Sequence, residues 1–330
     1  MAEKGASAER VSAYTEGVPC WVDAQLSDIE AGKRFYGGLF GWTFEETGRE
    51  DRSVWALLDG EPVAALVPKT DGRLPSVWTV YFAADDAGAL AGRIRAAGGT
   101  VVVPPHPVAD LGTAALVTDP QNAVFALWEA GPAPGRAPDA APAAGNAGNA
   151  EHAEHAEHAE HAEHAGNAEH AGNAGNAEGA RGAGHVPPAE GTASDGAGAP
   201  AGTGAARPRT TDLRPFPGFG RRRVPGAFVW AELYTPDTGA ANAFYGDLFH
   251  DALFGPGADP DVGRARVLDV FPAEMPPHFL VHFLVRDCEA ALGEAARLGG
   301  RVQVPPFETS YGRVAVVSDG QGASFAVLQR

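Results

Sequence analysis

The stretch Val18–Trp42, VPCWVDAQLSDIEAGKRFYGGLFGW, decides the fold because its pattern returns at Ala227–Asp251, AFVWAELYTPDTGAANAFYGDLFHD. A shift of 209 residues, from Val18 to Ala227, superimposes the two stretches. The shift places FYGGLF on FYGDLF, and in each copy an acidic residue follows the tryptophan by two positions. The chain is therefore expected to contain two related units.

Each copy predicts a strand followed by a helix. WVDAQL and WAELY alternate apolar and polar residues with the period of two that places one face of a strand against a core. Asp28 and Asp237 stand where a carboxylate caps the free N–H groups of a helix start. Apolar residues then recur three or four positions apart, as on one face of a helix. Gly41 is predicted to end the first helix, because glycine has no Cβ to oppose the left-handed conformation found there.

The order β, α, β, β, β is predicted twice in the first half of the chain. The remaining strands are predicted at residues 43–46, 53–58 and 62–67 in one module and at 77–82, 100–103, 114–118 and 124–128 in the next, with a helix over 85–97. The second half follows the same plan, but no segment matches the strand PVAALV at Pro62–Val67. We therefore expect one strand to be missing there.

Composition divides the chain into four parts. They are a polar tail at residues 1–17, a first domain at 18–130, a low-complexity linker at 131–224 and a second domain at 225–330. The linker consists of EHA and GNA repeats with Pro-rich flanks, and such a segment cannot bury a core, so it is predicted to be disordered. Its histidines are compatible with weak metal binding or with a neutral spacer, and they are His152, His155, His158, His161 and His164.

The formal net charge of −17 argues against nucleic acid or an anionic membrane as a partner, because phosphate contacts need clustered Lys and Arg. The basic run Arg207–Arg223 is the exception, and it is compatible with a solvated tether or with nucleic-acid binding. Two cysteines form no disulfide framework, and no apolar run reaches the roughly 18 residues that span a bilayer. We expect a cytoplasmic protein without a signal peptide.

Paired β, α, β, β, β modules, the FYG.LFGW signature, a GG.V..PP segment and a D.Q...FAL terminal strand resemble the vicinal oxygen chelate superfamily of glyoxalase I, bleomycin-resistance proteins and extradiol dioxygenases. The chain looks most similar to two-domain actinobacterial glyoxalase-like proteins labelled hydroxylase or antigen. The resemblance implies an α+β fold of two domains, each with paired modules that form one cupped mixed sheet with helices outside.

The resemblance also implies where a metal ion would bind. Metal-using members carry His or Gln on the first strand, Glu on the fourth, His on the fifth and Glu on the eighth. The aligned first-, fifth- and eighth-strand positions are Trp21, Thr79 and Ala126 in one half and Trp230, Leu280 and Ala326 in the other. These side chains are poor ligands for Zn²⁺, Fe²⁺ or Ni²⁺, so we predict no metal and no other cofactor. A metal held by His282 with Glu232 is an open alternative.

Side-chain alternation predicts an aromatic lining with one carboxylate in each cup. The predicted lining residues are Trp21, Asp23, Gln25, Thr79, Tyr81 and Trp128 in the first half and Trp230, Glu232, Tyr234, His278 and His282 in the second. A carboxylate in an apolar cup has a raised pKa, which suits a general base, so Asp23 and Glu232 are the candidate catalytic residues. Alternatively, both acids lie in water or pair with an Arg.

Two functions remain open from the sequence. The first is a binding protein without the family metal that holds an aromatic or cationic metabolite or drug. The second is a glyoxalase-like or hydroxylase-like enzyme, a lyase or an oxidoreductase, that uses acid–base residues or a relocated metal. We expect a small-molecule ligand, and domains that pair with each other or across a homodimer. The second domain would alternatively serve only to complete the first.

Overall fold

The computed structural model describes residues 14–49, 52–109, 111–131, 218–253, 261–267, 270–272 and 275–330. The EHA repeats with their histidines lie outside these residues, as does most of the basic run. Among the helices of the described ranges, none has both the length and the apolar character needed to cross a membrane.

The first half contains the two predicted modules in the predicted order. The first module is β1 (Pro19–Leu26), α1 (Ile29–Phe40), β2 (Thr43–Glu46), β3 (Val54–Leu58) and β4 (Glu61–Pro68). The second is β5 (Val77–Ala83), α2 (Ala87–Ala96), β6 (Thr100–Val108), β7 (Gly112–Thr118) and β8 (Val124–Ala130). The α+β fold class is confirmed.

The helix signals in the sequence act as predicted. The Asp28 carboxylate accepts a hydrogen bond from Ala31 N at 3.0 Å, and the Asp237 carboxylate accepts one from Ala240 N at 3.0 Å. Gly41 follows α1 with φ +75°, in the left-handed region that glycine enters without strain. Local capping chemistry therefore fixes where these helices begin and where α1 ends.

Both modules of the first half join one eight-stranded sheet in the order β2-β3-β4-β1-β5-β8-β7-β6. At its centre β1 runs parallel to β4 and antiparallel to β5. Leu26 faces α1, since a Cβ added to Gly32 of that helix would lie 2.4 Å from it. Trp21, Asp23 and Gln25 therefore lie on the opposite, helix-free face, which we call the first cup.

The second half forms a six-stranded sheet in the order β10-β9-β11-β14-β13-β12. Its elements are β9 (Phe228–Thr235), α3 (Thr238–Leu253), β10 (Val262–Arg266), β11 (His278–Val285), α4 (Cys288–Arg297), β12 (Arg301–Thr309), β13 (Gly312–Ser318) and β14 (Ser324–Gln329). Its helix-free face, which carries Trp230 and Glu232, is the second cup.

The counterpart of the fourth strand, which the sequence pattern predicts to be missing, is present in the second half as β10. β10 pairs in parallel with β9 and sets Gly263 opposite Glu232, just as β4 sets Ala65 opposite Asp23. In the described residues it is the β2–β3 hairpin that has no counterpart. The sequence VGRAR did not indicate a strand because β10 lies at the sheet edge, whereas β4 is central and reads as a continuous apolar run.

The helix-covered faces of the two sheets pack on each other through α1 and α3. Tyr36 of α1 contacts Trp78 of the first sheet and Phe325 of the second, and its hydroxyl donates to Asp319 at 3.0 Å. In the same way, Tyr245 of α3 contacts rings of both sheets, and its hydroxyl donates to Asp119 at 3.2 Å. Each helix therefore contributes to a core that both halves share.

Two glutamines reinforce this packing reciprocally. Gln321 accepts from Asp28 N and donates to Asp28 O, both at 2.8 Å. Gln121 accepts from Asp237 N at 3.0 Å and donates to Asp237 O at 2.9 Å. The glutamine in the D.Q turn of each half is thus hydrogen-bonded to the aspartate that caps the first helix of the other half.

The glutamine contacts yield a stability prediction. Replacing Gln321 by Ala removes two hydrogen bonds between the halves, and Gln121→Ala removes the equivalent pair. Each substitution is expected to lower the free energy of unfolding by about 1 kcal/mol, the lower end for two partly solvated bonds, as measured by urea denaturation. Gln303→Ala is the control, because Gln303 makes only a local bond with Ser324. Equal effects of all three substitutions would contradict the assignment.

Candidate functional site

The first cup is centred on the buried carboxyl of Asp23, which is 5% exposed. Its Oδ2 accepts a hydrogen bond from the Tyr81 hydroxyl at 2.5 Å. Its Oδ1 has no hydrogen-bond partner in good geometry among the described residues. Oδ1 is therefore a buried acceptor whose hydrogen-bonding capacity the described residues leave unused.

Burial raises the pKa of Asp23 from 3.8 to about 6. The hydrogen bond from Tyr81, the neighbouring Thr79 side chain and the charge of Arg49 oppose this shift. Burial and the adjacent Asp23 charge raise the pKa of Tyr81 well above its usual range. Near neutral pH, Tyr81 therefore stays a donor while Asp23 exchanges a proton readily.

Aromatic rings form the wall beside Asp23. Trp21 is 1% exposed and meets Trp55 edge to face at 5.4 Å between ring centroids. On another side, Phe219 packs on Trp21 at 5.7 Å. Trp55 is in register with Asp23 through Ala65, which pairs with both.

Sequence reasoning missed both Trp55 and Phe219. Trp55 carried a usable signal, since it alternates within a predicted strand. Phe219 carried none, because it lies in the basic, Pro-rich end of the predicted linker. In the structure that end is bound by backbone hydrogen bonds from Phe219 N to Cys20 O and from Gly220 N to Pro62 O.

The other predicted residues of the first cup lie at increasing distance along the sheet. Thr79 is opposite Asp23 in the β1–β5 ladder, and Gln25 is opposite Val77 towards one end. Trp128 lies towards the other end, opposite Ala83, where a Cβ on Gly112 would come within 2.8 Å of its ring. The structure therefore places Thr79 beside Asp23, with Gln25 and Trp128 further out.

The second cup is centred on Glu232, which is 6% exposed. Its Oε2 accepts from the hydroxyls of Tyr234 at 3.0 Å and Tyr311 at 2.9 Å. Burial raises the pKa of Glu232, and these two bonds oppose the shift. Glu232 therefore accepts two tyrosine hydroxyl hydrogen bonds, whereas Asp23 accepts one.

Burial keeps the two histidines of the second cup neutral. His282 is fully buried, which lowers its pKa to about 4, and its Nε2 lies 3.9 Å from Glu232 Oε2. Burial also lowers the pKa of His278, whose ring stacks on Tyr234 at 5.6 Å. Phe271 meets Tyr234 edge to face at 4.8 Å and closes this end of the cup. The sequence did not single out Tyr311 or Phe271, since both reach the cup from distant segments.

The strand register shows which residues are neighbours near the positions aligned with metal ligands. Trp21 is opposite Tyr81 and Trp230 is opposite His282, while the aligned Thr79 and Leu280 are opposite Asp23 and Glu232. With this register, the described part of the chain still contains no group of three or more His, Cys, Asp or Glu side chains that could hold a metal ion. The side chains present therefore do not fit the three or four ligands of such a centre.

With this geometry established, the chain can be placed beside known proteins. Residues 21–127 match the family model of the Glyoxalase/Bleomycin resistance protein/Dioxygenase superfamily. This part of the chain is therefore similar to that superfamily.

Relatives of similar length extend the match to the whole chain. DauV of Streptomyces sp. strain C5, named an anthracycline biosynthesis protein, is 28% identical, with 96% of this chain and 94% of DauV covered. CFP32 of Mycobacterium bovis, which carries the provisional name glyoxylase, is also 28% identical, covering 96% and 97%. The Mn(II)-bound glyoxalase from Novosphingobium aromaticivorans has a similar fold, with a TM-score of 0.50, 13% identity and coverage of 95% and 82%.

The raised pKa of Asp23 predicts how stability depends on pH. Because the folded-state pKa lies above the unfolded one, the contribution of Asp23 to stability is present below pH 4 and is lost as the pH rises through about 6. A pKa difference of about 2 corresponds to about 3 kcal/mol in the free energy of unfolding. In urea denaturation, the free energy of unfolding of Asp23→Asn, taken relative to that of the unmodified protein, should therefore rise by about 3 kcal/mol from pH 4 to pH 7.

The exposed Glu45 provides the matched control. Glu45→Gln removes a carboxylate from the surface of β2, so its effect on the free energy of unfolding should not change over this range. A pH-independent difference for Asp23→Asn would show that the folded protein does not raise the pKa of Asp23.

Proposed function

We propose that the first cup binds a flat aromatic small molecule that carries a cationic or hydrogen-bond-donating group, without the metal centre of the superfamily. The observation that carries this proposal is the unpaired Oδ1 of Asp23 beside the rings of Trp21 and Trp55. A donor on the ligand would complete the hydrogen bonding of Asp23 while its rings pack on the indoles.

The energetics favour such a ligand. Leaving a buried carboxylate oxygen unpaired costs free energy that a charged donor recovers, and hydrogen bonds to charged groups are worth about 1.5–3 kcal/mol. A cation would also lower the pKa of Asp23 and so keep the carboxyl ionised. Indole faces attract cations as well as flat rings. Charge pairing and stacking thus select the same class of compound.

The comparisons support the aromatic part of this proposal. DauV is named for anthracycline biosynthesis, and anthracyclines contain fused, planar rings. Asp23 carries the proposal better than Glu232, because Glu232 already accepts two hydroxyl donors.

A second function is favoured by the pKa of Asp23, which lies near 6. A carboxylate with such a pKa accepts a proton from a carbon acid more readily than an exposed one. In a glyoxalase-like or hydroxylase-like enzyme, Asp23 would act as the general base, and Tyr81 would hold its Oδ2. In the second cup, Glu232 and His282 would then be the pair to hold a relocated metal, with His282 Nε2 3.9 Å from Glu232 Oε2.

The binding proposal predicts the effect of one isosteric change. Asp23→Asn should weaken the binding of an amine-bearing anthracycline at least tenfold, because a charge-assisted hydrogen bond is worth about 1.5–3 kcal/mol. The quenching of anthracycline fluorescence by the protein measures the dissociation constant. Glu46→Gln, on the other face of β2, changes the net charge equally and should leave this constant within about twofold. Unchanged affinity in Asp23→Asn would overturn the proposal.

Metal analysis separates the two functions. The five histidines from His152 to His164 should first be replaced by Ala, because a His-rich tract can collect metal during purification. In this full-length variant the binding proposal predicts divalent metal well below one equivalent by elemental analysis. One equivalent that disappears in Glu232→Gln would instead favour the metal-using enzyme.

A further inference from the structure

The indole of Trp21 is already covered by side chains of the protein itself. Only 1% of Trp21 is exposed. Phe219 and Trp55 are among the rings that cover it, at 5.7 Å and 5.4 Å between centroids. Because side chains in such a packed cluster leave no space for a further ring, a ligand reaches Trp21 only after a covering group has moved.

Phe219 is easier to move than Trp55. Trp55 belongs to β3, which is hydrogen-bonded to β2 on one side and to β4 on the other. Phe219 belongs to residues 218–226, which we call the strap and which form no helix or strand. Close to Phe219, backbone N–H groups of the strap donate to Cys20 O at 3.2 Å and to Pro62 O at 2.8 Å. Segments outside the strand ladders open at a lower free-energy cost than paired strands, so Phe219 is the group that moves.

The Phe219 ring makes the contacts that are proposed for a ligand ring. It packs on Trp21 and also stacks on Phe228 of β9, at 4.7 Å between centroids and 11° between the ring planes. These contacts bury it, since Phe219 is only 8% exposed. Two rings cannot occupy one face of the indole, so an aromatic ligand on that face competes with Phe219.

A buried carboxylate of the second half holds the strap in place. Asp261 is 1% exposed and directly precedes β10. Its Oδ1 accepts from Arg223 Nε at 2.8 Å and from Arg223 Nη2 at 2.6 Å, and its Oδ2 accepts from Arg222 Nη1. Hydrogen bonds between ionised partners are about twice as strong as neutral ones. We call this cluster of Asp261, Arg222 and Arg223 the latch.

The latch acts against strain in the strap backbone. Arg223 has φ +60°, in the left-handed region that is costly for a residue with a side chain. The surrounding contacts fix this conformation, namely the guanidinium bonds to Asp261 and a bond from Arg223 N to Phe228 O at 2.7 Å. Loss of the Asp261 contacts would therefore release a strained segment and favour its departure from the first cup.

We propose that the strap is an internal competitor for the first cup, in which Phe219 occupies the place of the ligand ring and the latch holds the strap closed. This inference rests on the proposed function, because it concerns the same ligand at Asp23. Only molecules with an open strap bind the ligand, so the latch lowers the apparent affinity in proportion to the fraction that is open. Weakening the latch or removing the Phe219 ring therefore tightens binding.

Anthracycline binding to the full-length protein tests the competition. Phe219→Ala should bind an amine-bearing anthracycline about fivefold more tightly than the unmodified protein, because one ring–ring contact no longer competes. Asp261→Asn should bind it about tenfold more tightly, since a neutral amide holds the two arginines less strongly than a carboxylate does. Phe219→Leu, which keeps an apolar side chain without a ring, takes the place of Phe219→Ala if that variant shows no cooperative urea transition.

Two controls match these changes. Phe44→Ala removes a phenyl ring from the helix-covered face of the same sheet, where a Cβ on Gly37 of α1 would lie 3.4 Å from it. Asp59→Asn removes the exposed carboxylate that pairs with Arg221 of the strap at 2.6 Å. Exposed ion pairs contribute little, and Phe44 lies away from the first cup, so both variants should keep the dissociation constant within about twofold.

Hydrogen exchange measures the opening of the strap directly. Without ligand, the amides of Phe219 and Gly220 should exchange about tenfold faster in Asp261→Asn than in the unmodified protein, because the open fraction rises. In the unmodified protein, a saturating anthracycline should also speed their exchange, because the ligand displaces the strap. A rigid wall of the cup would instead exchange more slowly in the complex.

Three results would overturn the proposal. They are anthracycline binding in Phe219→Ala that is no tighter than in the unmodified protein, slower exchange of the strap amides in the complex, and unchanged exchange of these amides in ligand-free Asp261→Asn. Equal affinity of Asp23→Asn and the unmodified protein would refute the proposed function instead, while the ligand-free exchange would still test the latch.

Discussion

The structure depends on the packing of α1 and α3 between the two sheets. Tyr36 and Tyr245 each lie between rings of both sheets and donate to a buried aspartate, Asp319 and Asp119. Because this contact uses the helix-covered face of each sheet, the two cups remain on the opposite faces. Both halves therefore repeat the same interface contact as well as the same fold. The residues of the cups lie outside this contact, so they can differ while the shared core stays the same.

The cups differ in how their single carboxyl is paired. Asp23 accepts from Tyr81 on Oδ2, and its Oδ1 has no partner in good geometry within the described ranges, whereas Tyr234 and Tyr311 both donate to Oε2 of Glu232. Burying a carboxyl oxygen without a partner costs free energy. The duplicated strand pattern therefore carries carboxyls with different hydrogen-bond partners in the two cups.

The strand faces and the helix starts could be predicted from the sequence, because both depend on local residue patterns. Period-two alternation placed Trp21 and Asp23 on one face, and capping aspartates marked the helix starts. The register of β1 against β5 and of β9 against β11 was not predicted, because long connections join these strands in place of the tight turns that fix register in a hairpin. Phe219 and Tyr311 were missed because only the folded chain brings them to the cups.

Burial among aromatic rings raises the pKa of Asp23, and we propose that the carboxyl then pairs with a ligand cation. The ¹³C chemical shift of the Asp23 carboxyl, followed from pH 3 to pH 8 with and without an amine-bearing anthracycline, measures both effects. A midpoint near 6 is expected in the free protein, and a lower midpoint is expected in the complex. A midpoint near 4 in the free protein, or one that saturating ligand does not move, would contradict these expectations.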